Sequence, residues 1–219
     1  DIAHELCSPL ARMEMAVSVI EQRAPAELGE RIADVRDEVR EMQELVNELL
    51  SFSKAGLQGK DTPLESLSLW PIVENIAGRD GDGAQLQIDV PPELNVLGTR
   101  TMLSRAISNV VRNAIRYAGS AGPISITARQ QNGHVLVTVA DEGPGVPPES
   151  LPHLFDAFYR PDTARNREAG GAGLGLAIVK TCVTACHGNV SARNRDGGGL
   201  EVVMELEKGN DARHSDGIV

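Results

Sequence analysis

Residues 170–180 read GGAGLGLAIVK, a cluster of glycines that opens directly into an apolar helical run. Glycines place no side chain in the way of a phosphate, and a helix N-terminus offers unpaired N–H groups and the positive end of the macrodipole. A glycine-rich helix start can also serve close packing alone. Three further segments of the chain predict the same kind of ligand, and together they favour a phosphate-binding site here.

Composition and charge limit the classes of function. The chain has 219 residues, of which 41% are hydrophobic and 24% charged, so it can bury a core and holds more than one structural unit. Aromatic residues make up 3%, so aliphatic side chains must supply nearly all of that core. The formal net charge of −10 excludes a nucleic-acid partner, which needs a basic surface. The sequence contains no run of about 18 apolar residues that would span a membrane.

The three cysteines, Cys7, Cys182 and Cys186, are an odd number in a chain of this length, which favours reduced thiols in a cytosolic compartment. A metal site built from Cys182, Cys186 and His187 is the alternative. The sequence offers no second ligand pair with zinc spacing, however. We therefore expect Cys182 and Cys186 to be small apolar residues of a buried helix.

The N-terminal part is predicted to form an antiparallel helical hairpin. Apolar residues recur at spacings of three and four in two segments, separated by a break at Pro25. The chain enters the first segment at Asp1 without a cap or initiator methionine, so we expect a fragment of a longer protein. Two such helices cannot cover both apolar seams alone, which predicts a homodimer that forms a four-helix bundle. The seam residues are Leu6, Leu10, Met13, Val17 and Ile20, then Ile32, Val35, Val39, Met42, Val46 and Leu49.

The hairpin, residues 1–57, is followed by a predicted linker at residues 58–68. Residues 69–207 mix strand-like and helical segments, which predicts a two-layer α/β sandwich and, with the hairpin, an α+β protein. Residues 208–219 are polar and are expected to be a disordered tail. The predicted strands are 86–90, 124–129, 135–140 and 200–206, and the predicted helices are 71–77, 100–118 and 174–186.

His4 lies off the seam of the first predicted helix, on the solvent-facing side, with Ser8 one turn further along the same face. Glu5 can accept a proton from the imidazole or orient it, which makes the other ring nitrogen a nucleophile. Pro9 removes a helical hydrogen bond at a cost of about 3 kcal/mol or more. A single histidine is more often structural, but strain of this size beside an exposed His–Glu pair indicates a site.

Asn109, Asn113 and Arg116 share one flank of the predicted helix 100–118. A solvated flank is normally rich in Lys and Glu, and Asn is a mediocre helix former, so two asparagines one turn apart need another explanation. Their carboxamide oxygens suit a Mg²⁺ ion that already holds phosphates, and Arg116 suits the phosphate charge itself. An ordinary polar flank is the alternative.

Asp141 directly follows the predicted strand 135–140 and opens the turn DEGPG. These are common turn residues, and a plain turn is one interpretation. The end of a strand also places a carboxylate well to accept a hydrogen bond from an exocyclic amine. Gly143 and Gly145 would then let a flat ring lie close to the backbone.

Residues 155–160, FDAFYR, contain two of the three phenylalanines, which suggests an apolar anchor. The stretch that follows has no apolar periodicity and continues the basic series of Arg160, Arg165 and Arg167. In an acidic chain this local basic cluster predicts a mobile lid whose arginines reach an anionic ligand.

These segments resemble, in order, the five sequence boxes of sensor histidine kinases. HELCSPL at 4–10 is similar to the H-box, and SNVVRNAIRYA at 108–118 to the N-box. DEGPGV at 141–146, FDAFYR at 155–160 and GGAGLGLAIVK at 170–180 resemble the G1, F and G2 boxes. The resemblance covers nearly the whole chain, and the sequence of the predicted lid is similar to that of Cpx-type envelope-stress sensors.

The resemblance implies a dimerisation and phosphotransfer hairpin followed by an ATP-binding domain of the Bergerat fold. His4 would take the γ-phosphoryl group of ATP with the help of Glu5, and an aspartate of a response regulator receiver domain would receive it next. Ser8 stands where relatives position the water that dephosphorylates that regulator. The resemblance also implies transmembrane helices in a missing N-terminal portion, with this part on the cytoplasmic side of a bacterial inner membrane.

For the nucleotide, the resemblance implies that Asn109 and Asn113 hold Mg²⁺, that Arg116 meets the phosphates and that Asp141 binds the adenine amine. Tyr117 would lie against the nucleotide, and the glycines of the last box would close over the phosphates. The further candidate nucleotide-binding residues are Gly143, Gly145, Arg160, Gly171, Gly173, Leu174 and Gly175.

The chain departs from the family pattern at Cys7 and Ser8, where an Arg-Thr pair is common. Cys7 replaces a cation, so the field around His4 is less positive than in most relatives. Serine retains a hydroxyl at the position that orients water, which leaves phosphatase activity open.

Three alternatives from other classes remain. An ATP-hydrolysing conformational machine with the same ATP-binding fold would carry a glutamate at position 109 to activate water, whereas Asn109 cannot act as a base. A serine/threonine kinase of the anti-sigma type would lack the hairpin that bears His4. A non-catalytic interaction scaffold is disfavoured by the intact boxes.

Overall fold

A computed structural model describes residues 2–58, 62–81, 83–118, 121–161 and 172–210. The chain begins with helix α1 (Ile2–Glu21), a short 3-10 helix (Ala26–Leu28) and helix α2 (Gly29–Gln58). None of the described helices combines the length and the apolar character needed to cross a bilayer.

The two long helices form the predicted antiparallel hairpin, with Pro25 at the break. Their register is fixed by polar pairs across the interface: Gln43 donates a hydrogen bond of 3.0 Å to Glu14, and Arg36 donates one of 2.8 Å to Glu21. The two pairs are seven residues apart on each helix, from Glu14 to Glu21 along α1 and from Gln43 back to Arg36 along α2. The two helices therefore pack side by side without a slip in register.

The second part of the chain contains strands and helices that are mixed in sequence. The strands are β1 (Glu65–Ser68), β2 (Leu86–Asp89), β3 (Asn95–Gly98), β4 (Ile124–Gln131), β5 (His134–Ala140), β6 (Asn189–Asn194) and β7 (Leu200–Glu207). The helices are α3 (Trp70–Asp80), α4 (Arg100–Ala118) and α5 (Gly175–Ala185). Strands β2-β4-β5-β7-β6 form one sheet in that order, and β1 and β3 pair in a second, two-stranded sheet.

The core lies between one face of the larger sheet and the three helices. Every second residue of β5 is buried, beginning with Val135, which is the alternation of a sheet with one covered face. On α4 the residues Leu103, Ile107 and Val110 are buried at helical spacing and face this sheet. The structure is thus the predicted α+β arrangement of a helical hairpin and a two-layer α/β sandwich.

Three short strands were not predicted from the sequence: β1, β3 and β6. Strand β1 lies inside the range 58–68 that was expected to be linker, yet it pairs along its length with β3. Strand β6 is an edge strand in which no residue is fully buried, so its hydrophobic pattern is weak. Strands of this length and exposure give little periodic signal.

The tail also differs from its prediction. Lys208 forms an isolated β-bridge with Val96, and the Gly209 N–H donates a hydrogen bond of 2.9 Å to the Asn95 carbonyl. Residues 208–210 are therefore ordered against β3, and the prediction of disorder is wrong for them. Residues 211–219 lie outside the described part of the chain.

Candidate nucleotide-binding site

A cavity of about 630 Å³ opens between α4, α5 and the end of the large sheet. Its volume lies in the range of about 300–1,000 Å³ that is typical of small-molecule sites. One wall is apolar and would suit a flat ring, with side chains that include Val110, Ala114, Val139, Leu176 and Val202. Polar and charged groups line the rest of the cavity: Glu48, Asn113, Arg116, Tyr117, Asp141 and Arg160.

Asp141 is held in a fixed position at the apolar end of the cavity. It follows β5 directly, is buried, and its Oδ1 accepts hydrogen bonds from the backbone N–H groups of Gly143 at 2.9 Å and Leu200 at 3.2 Å. Its Oδ2 accepts no hydrogen bond from the described residues. A carboxylate that is anchored through one oxygen presents the other as an acceptor to a ligand.

The turn after Asp141 approaches neighbouring backbone closely. Gly145 has φ +70°, and a Cβ at this position would lie 2.8 Å from the Asn194 Oδ1 atom, which itself accepts a hydrogen bond of 2.9 Å from the Val146 N–H. A side chain at Gly143 would meet the Cα of Ala118 at 2.9 Å. Gly145 lines the cavity, whereas Gly143 does not line it and instead stabilises the turn through its hydrogen bond to Asp141.

Asn113 and the start of α5 meet at the middle of the cavity. Gly175 is the first residue of α5, and a Cβ there would lie 3.1 Å from the Asn113 Oδ1 atom. Because Gly175 lacks a side chain, the helix N-terminus comes close to the carboxamide. Both residues line the cavity, so the positive end of the α5 dipole and an amide oxygen face the same space.

A carboxylate from the hairpin reaches the rim of this cavity. Glu48 of α2 accepts a hydrogen bond of 3.2 Å from the Ala172 backbone N–H, and its other oxygen lies 4.0 Å from an Arg116 nitrogen. Tyr117, which follows Arg116 on α4, is 44% exposed and lines the cavity. The contact with Glu48 was not predicted, since it joins segments that are far apart in sequence.

The second asparagine of the predicted pair has a different position. Asn109 is buried, its Nδ2 donates a hydrogen bond of 2.8 Å to the Arg105 carbonyl, and its Oδ1 accepts one of 3.0 Å from Arg112. It lines a different cavity from the one that Asn113 lines. Asn109 and Asn113 share a flank of α4 as predicted, but the Asn109 carboxamide already forms hydrogen bonds within this helix.

Residues of the F box and Gly173 form the far rim. The Phe158 N–H donates a hydrogen bond of 3.0 Å to the Gly173 carbonyl, and Gly173 has φ +73°. Phe155 packs against the core, whereas Phe158 is 64% exposed, so the predicted apolar anchor consists of Phe155 alone. Arg160 lines the cavity as expected.

Some predicted residues lie elsewhere or outside the description. The side chain of Leu174 is buried in the core and does not line the cavity. Gly171 is outside the described residues, as are Arg165 and Arg167 of the predicted lid. The backbones of His4 and Glu5 belong to α1, but their side chains lie outside the described part, and Ser8 is half-buried.

Two further cavity residues carried no clear sequence signal. Tyr159 lines the cavity and its hydroxyl donates a hydrogen bond of 3.0 Å to the Ser150 Oγ atom. Leu200 lines the apolar wall and supplies the backbone N–H that anchors Asp141. Their positions depend on strand and loop pairings that join distant parts of the chain.

Two family models match the chain. The model described as "Histidine kinase-, DNA gyrase B-, and HSP90-like ATPase" matches residues 98–210. The model described as "His Kinase A (phospho-acceptor) domain" matches residues 1–58. Together they cover both the hairpin and most of the α/β sandwich.

Individual proteins are similar over nearly the full chain. The Escherichia coli K12 signal transduction histidine-protein kinase BaeS is 35% identical over 94% of the chain, and the sensor histidine kinase CpxA of the same strain is 32% identical over 94%. The chain spans 45% of the length of each of these relatives.

Among solved structures, full-length ShkA in complex with AMPPNP has a TM-score of 0.73 at 27% identity and covers 97% of this chain and 46% of its own. The similarity therefore extends over both the hairpin and the sandwich of this chain. The phospho-acceptor hairpin and the ATPase domain on one chain, with kinase relatives along its whole length, show that it belongs to the sensor histidine kinases.

Proposed function

We propose that this chain binds ATP in the cavity described above, phosphorylates itself on His4 and passes the phosphoryl group to an aspartate of a response regulator receiver domain. The observation that carries the proposal is the convergence of Asp141, Asn113 and Arg116 on one cavity with an apolar wall. An adenine ring, its amine and a polyphosphate tail require this combination of surfaces.

The orientation of the nucleotide follows from the charges. The free oxygen of Asp141 would accept a hydrogen bond from the adenine amine while the ring lies against the apolar wall. The phosphates would extend toward Asn113, Arg116 and the N-terminus of α5, where cationic and N–H donors lie. Arg160 on the far rim would meet the same phosphates.

Mg²⁺ would join the phosphates at the Asn113 end. Magnesium keeps several waters and takes few protein ligands besides phosphate oxygens, so one carboxamide oxygen at the cavity fits its donor preference. Asn109 is the second proposed ligand, but its Oδ1 accepts a hydrogen bond from Arg112 and would have to exchange it. Asn113→Ala should therefore abolish Mg²⁺-dependent nucleotide binding while the fold remains intact, measured by calorimetry with and without Mg²⁺; unchanged affinity would contradict this role.

In the transfer step a nitrogen of His4 attacks the γ-phosphorus, the bond to the β,γ-bridging oxygen breaks, and ADP leaves with that electron pair. Glu5 accepts the imidazole proton. The register of the hairpin supports a position of His4 near the cavity. Counted along both helices from the Glu14–Gln43 pair, Glu48 lies level with Pro9. His4 is then about five residues, or roughly 7.5 Å along the helix axis, from the level at which α2 contacts the cavity.

The hairpin surface supports a homodimer. Only part of the predicted seam is covered within the described chain, where Leu10, Val17 and Val39 are buried. Other seam residues form an exposed apolar face: Met13, Ile20, Val35, Met42 and Leu49. A twin hairpin would bury this face in a four-helix bundle.

The remaining parts of the proposal concern the whole protein. We infer that residues 1–57 are the dimerisation and phosphotransfer domain, and that the linker predicted at 58–68 ends before β1, which belongs with residues 69–207 to the ATP-binding domain. Ser8 would orient water for dephosphorylation of the regulator. Membrane attachment would come through segments N-terminal to this chain, in a bacterial inner membrane, with this part in the cytoplasm. The similarity to CpxA supports a Cpx-like role.

The decisive experiment is incubation with γ-labelled ATP and Mg²⁺. We expect an acid-labile, alkali-stable phosphoprotein, because phosphohistidine has this stability and phosphoserine does not. His4→Ala should bind ATP with unchanged affinity and take up no label, whereas Glu41→Gln on the exposed face of α2 should label normally. Label that persists in His4→Ala, or that survives acid, would refute the assignment.

A further inference from the structure

A second cavity, of about 470 Å³, lies on the outer side of α4 beside the end of α3. Arginines dominate its lining, and we call it the arginine cavity. Its lining residues are Arg79, Arg100, Thr101, Ser104, Arg105, Ser108, Asn109 and Arg112.

The two cavities are lined by different residues of the same helix. Positions 101, 104, 105, 108 and 112 recur at spacings of three and four and therefore form one stripe along α4. The nucleotide cavity is lined from α4 by other positions, Val110, Asn113, Ala114, Arg116 and Tyr117. None of the residues that line one cavity lines the other.

The arginine cavity carries an excess of positive charge, since the Asp80 carboxylate stands against four arginines. Arg79 pairs with Asp80 at 2.8 Å, and the Ser108 hydroxyl lies between them, donating to Asp80 and accepting a hydrogen bond of 3.0 Å from Arg79. The hydrogen bond from Arg79 is the main cause that lowers the pKa of Asp80, so this carboxylate is ionised at neutral pH. Arg100, Arg105 and Arg112 form no ion pair with any carboxylate that the structure describes.

One nitrogen of these guanidinium groups is buried without a partner. The Nη1 atom of Arg105 is inaccessible to solvent and has no hydrogen-bond acceptor among the described residues. A buried cationic donor that loses water and gains no acceptor is costly, and such groups are rare in folded proteins. Arg112 does have a hydrogen-bond acceptor, the Asn109 Oδ1 atom, but this acceptor is neutral and does not balance the charge of Arg112.

We propose that the arginine cavity binds a multiply charged phosphate group, as a site separate from the nucleotide cavity. Guanidinium groups and serine and threonine hydroxyls together offer many donors, and Asp80 is already engaged by Arg79 and Ser108. Phosphate oxygens accept several hydrogen bonds at once and match the planar fork of arginine. Arg100 and Thr101 also begin α4, so its dipole favours an anion at the same place.

The volume leaves room for more than a single inorganic ion. A cavity of about 470 Å³ falls within the range of about 300–1,000 Å³ that is seen for small-molecule sites. A phosphorylated metabolite or a short polyphosphate would therefore fit as well as inorganic phosphate. These candidate ligands share phosphate chemistry, and titration with different probes distinguishes them.

The test is calorimetric titration of the chain with three probes at equal ionic strength: inorganic phosphate, glycerol 3-phosphate and tripolyphosphate. Each titration is repeated with the nucleotide cavity saturated by ADP. We expect at least one probe to bind with ADP present, and the probe that binds most tightly identifies the source. Binding that disappears when ADP is added, or the failure of all three probes, would overturn the proposal.

Variants locate the site. The double variant Arg100→Gln/Arg105→Gln should weaken the ADP-resistant binding by about tenfold or more, since two charged donors are lost. Arg100→Gln alone is an exposed change that leaves the core untouched, and it should weaken binding in the same direction. Arg129→Gln, which removes an exposed arginine paired with Asp89 on another face, should leave it unchanged. Equal affinities in all of these variants would overturn the proposal.

The outcome is independent of the proposed kinase activity. If the chain fails to bind ADP, the proposed function fails, while the arginine variants still decide whether a phosphate binds at α4. If ADP binds and the variants have no effect on any probe, the arginine cavity is the idea that fails.

Discussion

Glu48 of the hairpin lies 4.0 Å from Arg116 of the ATP-binding domain, through its Oε1 atom. Its Oε2 accepts a hydrogen bond from the Ala172 N–H at the entrance to the glycine-rich segment. A carboxylate therefore lies beside Arg116, which the proposed function assigns to the phosphates, and is bonded to the segment before α5. Helix α2 thus contributes directly to the rim of the nucleotide cavity in this conformation.

This relationship predicts that the carboxylate opposes nucleotide binding. Glu48→Gln removes a negative charge beside the phosphate end of the cavity, so the affinity for ATP should rise by about three- to tenfold, or ~0.7–1.4 kcal/mol. Calorimetric or fluorescence titration would measure the change. Glu41→Gln removes the same charge from α2 at a position that does not line the cavity and serves as the matched control. The idea fails if Glu48→Gln binds ATP no more tightly than the control.

Asp141→Asn tests recognition of the adenine amine. The amide oxygen can still accept the hydrogen bonds from the Gly143 and Leu200 N–H groups, so the free energy of unfolding should change by less than about 1 kcal/mol. The substitution replaces the free carboxylate oxygen with an NH₂ group, which would face the N–H donor of the adenine amine. The affinity for ATP should fall by about 30-fold or more.

Titration with ATP measures the loss, and Asp89→Asn, an exposed carboxylate far from the cavity, is the control. A variant that is folded and binds ATP like the wild type would show that Asp141 does not contact the base.

Gly175→Ala tests the close approach of α5 to Asn113. The added Cβ would lie 3.1 Å from the Asn113 Oδ1 atom and displace the carboxamide, so nucleotide affinity should fall by about five- to tenfold, or ~1–1.4 kcal/mol. Stability should change little, because alanine is the better helix former.

Gly78→Ala on α3 is the control, since a Cβ there meets no described atom within 4 Å. It should stabilise the fold by about 0.5–1 kcal/mol and leave ATP binding unchanged. Equal effects of both variants on ATP binding would show that the contact with Asn113 is irrelevant.

The cysteines of α5 should be inert. Burial raises the pKa of Cys182 to about 12 and also raises that of Cys186, so both thiols are protonated at pH 8 and lack the reactive thiolate. In a Cys7→Ser background, a colorimetric thiol reagent should label neither residue in the native protein and both after denaturation. Rapid labelling at pH 8 would contradict the burial and would reopen the metal-site alternative.

Much of the site could be predicted because its residues are short-range features of single elements. Arg116 and Tyr117 lie about one turn after Asn113 on a helix whose apolar stripe fixes its orientation against the sheet. Asp141 is placed by the end of the strand before it. In such cases the local period of the chain sets the direction of the side chain.

Other features depend on which distant segments meet. Asn109 shares the flank of Asn113 in sequence, yet it is buried and its carboxamide bonds to Arg105 and Arg112, in a cavity that Arg79 of α3 also lines. The ordering of Lys208 against Val96 depends on a strand that the sequence scarcely marks.

The sequence by itself determined the two-part organisation, the helical hairpin, the α/β class and the segments that build the nucleotide cavity. These follow from hydrophobic periodicity and from the conformations that glycine and proline impose. Only the tertiary structure decided that Glu48 reaches the nucleotide cavity and that Arg79 of α3 joins the three arginines of α4. Charges on separate helices become neighbours only when buried apolar surfaces fix how those helices pack, and no local pattern encodes that distance.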